Sequence, residues 1–361
     1  LLPLPEFPWD RLTPFKERAA AHPDGIVDLS VGTPVDPTPE PVREALRAAA
    51  DAPGYPQTYG TPVLRESVAR WMRRRLGVLD ANPDAVLPVV GTKELVAWLP
   101  TLLGLGPGDK VAFPALAYPT YDVGARLAGA ESVASDSLLA LGPETPKLVW
   151  VNSPSNPTGK VLPVDHLRKV VAWARERGAV VASDECYVEF GWDEERPPVS
   201  ILHPDVCEGS HKGLLVVNSL SKRSNMAGYR AGFVSGDLDL VRRLLEVRKH
   251  AGMIVPAPVQ AAMRAAFDDD EHAREQHARY ARRRTALRAA FERHGFRIDH
   301  SEASLYLWAT RDESCWDTVA HLADLGVLVG PGDFYGRAGA NHVRIAFTAT
   351  DERVEAAAAR L

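Results

Sequence analysis

Short apolar runs alternate with amphipathic stretches along most of this chain, and that alternation predicts its architecture. Strand-like runs at 86–90, 110–113, 147–151, 179–183, 214–218 and 231–234 are bounded by turn residues. Helical periodicity occupies 92–103, 118–128 and 164–177 between them, and 40–50 and 64–76 ahead of them. Thr61-Pro62 offers a cap followed by proline in the first turn. Strands alternating with crossover helices predict an α/β sandwich with parallel strands. Near residue 240 the texture changes. Long, charged helical stretches at 238–249 and 258–293 are separated by breaks at Pro256 and Pro258. Short strand candidates at 305–309 and 342–347 and a last helix at 351–360 suggest a smaller α+β unit. The first forty residues are proline-rich and extended, apart from an amphipathic stretch at 11–21. The expected division is a large domain at 31–255 and a small domain formed by 1–30 and 256–361, with the opening residues as an arm.

Composition narrows the class. The chain has 361 residues, more than one typical core holds, with 45% hydrophobic and 25% charged residues, ordinary globular values. A net charge of -5 gives no basic patch, so no nucleic-acid partner is expected. No apolar run is long enough to span a bilayer, and Leu1 to Glu6 lack the basic region of a signal peptide. Three cysteines, at 186, 207 and 315, lack metal-ligand spacing. They fit a reducing compartment, and the expectation is a cytoplasmic protein with no metal.

Lysine is scarce: nine of the 42 basic residues. One of them, Lys222, sits in Ser219-Leu220-Ser221-Lys222 after a strand-like run, with Arg230 eight residues on. An amine flanked by hydroxyls and followed by a guanidinium is what pyridoxal 5'-phosphate needs, since the amine condenses with its aldehyde and arginine grips its phosphate. In doubly wound sheets ligands lie beyond the carboxyl ends of strands, and other polar groups fall at such ends. Gly91-Thr92-Lys93 opens a helix, a phosphate seat or a simple turn. Ser183-Asp184-Glu185-Cys186-Tyr187 follows a strand, and an aspartate there can keep a pyridine nitrogen protonated. Asn156-Pro157-Thr158-Gly159 is turn chemistry, although Asn156, like Tyr187, can also donate to the ring's phenolic oxygen.

These motifs occur in the order found in the class I/II, fold-type I aminotransferases, which the chain resembles over nearly its whole length. The set runs from Tyr55 ahead of Gly60-Thr61-Pro62, through Gly91-Thr92-Lys93, Asn156-Pro157-Thr158-Gly159, Asp184-Glu185-x-Tyr187 and Ser219-Leu220-Ser221-Lys222 with Arg230, to Val343-Arg344-Ile345-Ala346-Phe347. The resemblance implies a large domain with a mostly parallel sheet between helices, plus a smaller α+β domain. It implies that Lys222 carries the cofactor and moves a proton, that Asp184 pairs with the ring nitrogen, and that Asn156 and Tyr187 bond its phenolic oxygen. Thr92, Lys93, Ser219, Ser221 and Arg230 would hold the phosphate, and Tyr118 would stack on the ring. Tyr55 would reach into a partner's site, making a homodimer with shared sites. Arg344 would clamp the substrate α-carboxylate, and Gly32 would lie over the substrate.

Glu6 to Asp10, Asp28 to Pro39 and Gly330 to Gly336 resemble the actinobacterial N-succinyldiaminopimelate aminotransferase branch. The reaction this implies moves an amino group between glutamate and N-succinyl-2-amino-6-oxopimelate. Arg223 and Lys93 are candidates by position for the distal carboxylates. Another amino-acid aminotransferase, or a carbon–sulfur lyase on the same fold, would share these motifs, because reaction type depends on how the substrate bond is aligned. A regulatory effector-binding domain is a third reading, and it would need a DNA-binding segment that this chain lacks.

Overall fold

The computed structural model describes residues 4–141 and 145–361; of the opening Leu1 to Glu6, Leu1, Leu2 and Pro3 lie outside the described residues. Seven strands form the main sheet, in the spatial order Val86–Val90, Ala231–Gly236, Leu214–Ser219, Val180–Asp184, Leu148–Asn152, Lys110–Phe113, Glu131–Ala134. All neighbours are parallel except Ala231–Gly236, which runs against both of its partners. That exception has a local cause. Only residues 220–230 join Leu214–Ser219 to Ala231–Gly236, too few for a parallel crossover with a full helix.

The sheet is buried on both faces, which is why its strands read as nearly continuous apolar runs. Val181, Leu214 and Val216 face one core with the helices Pro62–Leu76 and Val164–Arg177. Ala182, Leu215 and Val217 face the other, with Thr92–Leu102, Thr120–Leu127 and Leu238–Ala251. Side chains alternate across each strand, so consecutive residues serve opposite cores.

A third core surrounds a four-stranded antiparallel sheet in the order Gly330–Pro331, Val343–Ala346, Tyr306–Thr310, Arg297–Asp299. Val27–Asp28 pairs in parallel with Val327–Leu328, tying the opening segment to this C-terminal unit. The stretch read as one helix over 258–293 is two, Ala257–Asp268 and Glu271–Arg293. Ala262, Met263, Ala266 and Phe267 of the first pack into the core that holds Val181 and Leu214. Ala257–Asp268 thus packs against the main sheet. Among the described residues no helix is long and apolar enough to cross a membrane.

Candidate active site

Strand ends bring the chemistry together. Val180–Asp184 ends at Asp184, and Leu148–Asn152 runs beside it, so Asn152 pairs with Asp184 in register. Asn152 Nδ2 donates to the Asp184 carbonyl at 3.0 Å and to the Pro154 carbonyl at 3.1 Å. Its Oδ1 accepts from the Asn156 backbone N–H at 2.8 Å, which holds the Asn156 loop against the sheet.

Asp184 is buried, and among the described residues no cationic side chain pairs with it. Its Oδ2 accepts from the Tyr121 hydroxyl at 2.9 Å, and its Oδ1 from the Cys186 N–H at 3.2 Å. Burial pushes this carboxyl above the usual range, against those hydrogen bonds. A cation placed beside it would reverse the shift.

Lys222 lies on the short helix Leu220–Arg223, whose start is capped by Ser219 Oγ accepting from Ser221 N at 3.0 Å. Lys222 Nζ donates to the Gly32 carbonyl. Desolvation, with the Arg344 and Arg230 charges, holds its ammonium below the usual lysine range. Gly32 is packed so closely that a Cβ there would lie 2.4 Å from the Tyr306 hydroxyl. Tyr306 Oη in turn is 2.8 Å from Tyr187 Oη. Although burial opposes it, the Arg344 and Lys222 charges pull the Tyr306 phenol below the usual tyrosine range.

Arg344, on Val343–Ala346, is buried and has no carboxylate partner among the described residues. Its Nη1 donates to Asn156 Oδ1 at 2.9 Å and its Nη2 to the Ser30 carbonyl at 2.7 Å, while Nε has no partner. The guanidinium carbon lies 4.1 Å from the Tyr306 ring centroid and 4.9 Å from that of Tyr335. A buried guanidinium held on neutral acceptors is set to receive an anion.

Gly91, with φ 74°, precedes the helix Thr92–Leu102, and a Cβ on it would lie 2.3 Å from Arg230 Nη2. The Arg230 guanidinium thus stands over the N–H end of this helix, while its Nη1 donates to the Ala227 carbonyl at 2.9 Å. Thr92 lies close enough to Gly232 that a Cβ there would sit 3.1 Å from Thr92 Cγ2. Cys186 Sγ lies 3.6 Å from Thr92 Oγ1, linking this helix start to the Asp184 segment. Lys93 is exposed, its Nζ 5.6 Å from the Phe7 ring centroid. Tyr118 is half-buried, edge-on to Tyr121 at 6.0 Å, and burial raises its pKa.

Thr92, Asn156, Asp184, Tyr187, Ser219, Ser221, Lys222, Arg230, Arg344, Tyr118 and Gly32 therefore gather around one region, with Lys93 at its edge. Tyr55 does not join them within the chain; it is fully exposed, at 102% relative accessibility. Arg223 is removed as a candidate for distal carboxylates. It is buried, pairs with Glu189 and Asp270, and donates to the Ala266 carbonyl at 2.7 Å. Sequence reasoning missed Tyr121, Tyr306, Tyr335, Asn152 and Ser30. Tyr121 had a signal, standing one helical turn from Tyr118. Ser30 and Tyr335 lie in segments singled out as wholes, with nothing to mark them individually, and Asn152 and Tyr306 lie on ordinary strand positions.

A lysine at a strand-to-helix turn, a buried aspartate and an anion seat at a helix start define a pyridoxal-phosphate enzyme on a mostly parallel α/β sheet. The chain belongs to the class I and II aminotransferases: residues 24–361 match that family. It is 66% identical to 4-dedimethylamino-4-oxo-anhydrotetracycline transaminase OxyQ of Streptomyces rimosus, covering 99% of both chains. It is 65% identical to probable aminotransferase Rv1178 of Mycobacterium tuberculosis, covering 99% of this chain and 85% of that one. Identity to the LL-diaminopimelate aminotransferase of Gloeobacter violaceus is 34%, over 98% and 96% of the two chains. Among solved structures, an aminotransferase of Neisseria meningitidis superposes with a TM-score of 0.89 at 31% identity, covering 99% of this chain and 97% of that one. The fold is that of the fold-type I enzymes, and the cofactor is pyridoxal 5'-phosphate. The donor set fits it: a buried carboxylate without a cation, a lysine with a depressed pKa, and an arginine over an open helix end.

Proposed function

We propose that this aminotransferase exchanges an amino group between glutamate and N-succinyl-2-amino-6-oxopimelate. The observation that carries the reading is Arg344, a buried guanidinium with no carboxylate beside it among the described residues, next to Lys222. Both substrates carry a carboxylate on the carbon next to the one that reacts. Arg344 would hold that group through two charge-assisted hydrogen bonds.

Bound in the site, pyridoxal 5'-phosphate supplies an aldehyde that condenses with amines and a ring that withdraws electrons from Cα. Arg230, Ser219, Ser221 and the N–H groups of Thr92 and Lys93 would hold its phosphate. Asp184 would keep the ring nitrogen protonated, and Tyr121 would orient that carboxylate. Tyr187 and the amide nitrogen of Asn156 would donate to the phenolic oxygen, and Tyr118 would stack on the ring. Lys222 Nζ, once released by the incoming amine, would take the proton from the substrate Cα. Its depressed pKa leaves more of it unprotonated near neutrality, as a general base requires.

A row of side chains supports a long substrate. Lys93 stands over Phe7, Phe7 lies 5.7 Å from Trp9, Trp9 lies 6.3 Å from Tyr335, and Tyr335 covers Arg344. Lys93 would meet a distal carboxylate at the far end of that row. The likeness to an LL-diaminopimelate aminotransferase favours the same carbon skeleton. The catalytic unit would be a cytoplasmic homodimer in which Tyr55 completes the partner's site, a role its full exposure leaves open. Residues 1–30 and 269–361 would form its small domain, in line with the Val27–Asp28 pairing and the packing of Phe267.

A second reading rests on the 66% identity to OxyQ, whose name specifies a substrate with a ring ketone. The two readings separate in one assay. Purified holoenzyme is given glutamate with N-succinyl-2-amino-6-oxopimelate or with 4-oxo-anhydrotetracycline acceptors, with Lys222→Ala as the blank. Higher kcat/KM for the succinylated oxo acid is expected. Preference for the ring ketone overturns the succinylated substrate and leaves the aminotransferase class intact.

A further inference from the structure

One hydroxyl in the site has no partner. Tyr335 is 3% exposed, and its Oη makes no hydrogen bond to any described residue. Neighbouring tyrosines are satisfied: Tyr121 by Asp184, and Tyr187 and Tyr306 by each other. A buried hydroxyl left unpaired is costly, so its persistence needs a reason.

The ring cannot swing out to find water. Trp9 and Trp308 meet it edge-on, each at 6.3 Å, and Arg344 lies 4.9 Å from its centroid. Its backbone is held as well. The Tyr335 carbonyl accepts from the Ala117 N–H at 2.8 Å, and a Cβ on the next residue, Gly336, would lie 2.2 Å from the Ala115 carbonyl. Burial raises the phenol pKa, so the group is a donor throughout the working pH range. The titratable groups that act on it are Arg344, Tyr306 and Tyr118, and none of these is a carboxylate. A pinned donor beside a buried cation, with no acceptor among the described residues, matches an acceptor that arrives with the substrate.

We propose that the Tyr335 hydroxyl donates to the substrate carboxylate held by Arg344, and so helps to select substrates bearing that group. The assignment rests on the reading of Arg344 as the carboxylate clamp. Tyr335 is then a binding residue of the reaction rather than packing alone, and its ring and its hydroxyl have separate tasks. The ring covers the guanidinium and shields it from water. The hydroxyl reaches the anion from outside the guanidinium's own set of hydrogen bonds.

The test compares wild-type and Tyr335→Phe holoenzymes, since phenylalanine keeps the ring and removes only the donor. Two amino acids that cannot lose a Cα proton, 2-methyl-L-glutamate and 2-methylalanine, are titrated while the cofactor absorbance is followed. Both carry the α-carboxylate; only the first carries a second one. Loss of one charge-assisted hydrogen bond is expected to raise both dissociation constants about tenfold. The melting temperature should stay level or rise, because the lost hydroxyl has no partner among the described residues. In turnover the change should fall mainly on KM, with kcat altered by less than about threefold. Unchanged dissociation constants overturn the proposal. So does weakening confined to 2-methylglutamate, which would make Tyr335 a reader of the side chain, or weakening accompanied by a marked fall in melting temperature, which would make it structural. Failure of the wild type to bind either compound also overturns it. If glutamate proves a poor amino donor while both compounds still bind, only the proposed substrate falls.

Discussion

At the scale of single residues, what distinguishes this site is charge left without a counter-charge in the protein. Among the described residues, Asp184 is buried without a cation and Arg344 without a carboxylate. Each is costly alone and is balanced when a complementary group binds. This makes Asp184→Asn informative. An amide fills the same space and can still meet the Tyr121 hydroxyl, but it cannot stabilise a protonated ring nitrogen. The amino-donor half-reaction, followed by stopped-flow absorbance, should slow by about a hundredfold or more while the fold is retained. A rate near that of wild type would show that Asp184 serves the fold alone.

At the scale of elements, the proposed phosphate seat depends on how a strand hands over to a helix. Gly91 adopts φ 74° and ψ 152°, a conformation that side chains other than hydrogen do not tolerate, and its missing Cβ is where Arg230 lies. Gly91→Ala would therefore strain the turn and push the guanidinium off the helix end. Cofactor affinity measured by equilibrium dialysis should fall at least about tenfold, with a stability loss of about 1–3 kcal/mol in thermal or denaturant unfolding. Unaltered affinity would mean that the phosphate sits elsewhere. The same element logic explains Arg230 itself. The connection from Lys222 to Ala231–Gly236 is too short for a crossover, so that strand turns back antiparallel and delivers Arg230 to the mouth beside Thr92.

At the scale of the whole molecule, Tyr55 is the odd residue. Most of the other expected residues gather in one region of the chain, Arg223 apart, yet Tyr55 stands clear of it, fully exposed. The proposed dimer predicts complementation. Mixing Tyr55→Ala with Lys222→Ala subunits under exchange conditions should restore about a quarter of wild-type activity, since half the dimers are mixed and each has one intact site. Full activity in a preparation shown to be monomeric by sedimentation would end the shared-site account.

Much of this was legible in the chain before any coordinates. The apolar runs marked the strands of the main sheet almost to the residue, because a sheet buried on both faces leaves no room for polar interruptions. Asp184, Lys222 and Arg230 stood out by residue type near strand ends, while Arg344 was singled out only through the resemblance. Edges read less well: Glu131–Ala134 borders the sheet with a half-exposed pattern and gave no apolar signal. Tertiary structure alone decided the rest. Tyr306 and Tyr335 lie on a separate sheet and loop, far along the chain from Lys222, and only folding brings their hydroxyls to the site. Arg223 looked like a ligand by its place next to Lys222, but the helix turned it away into Glu189 and Asp270. Local pattern records which face of an element is apolar. The direction in which a polar side chain points depends on partners far along the chain, and those are set only when the elements pack together.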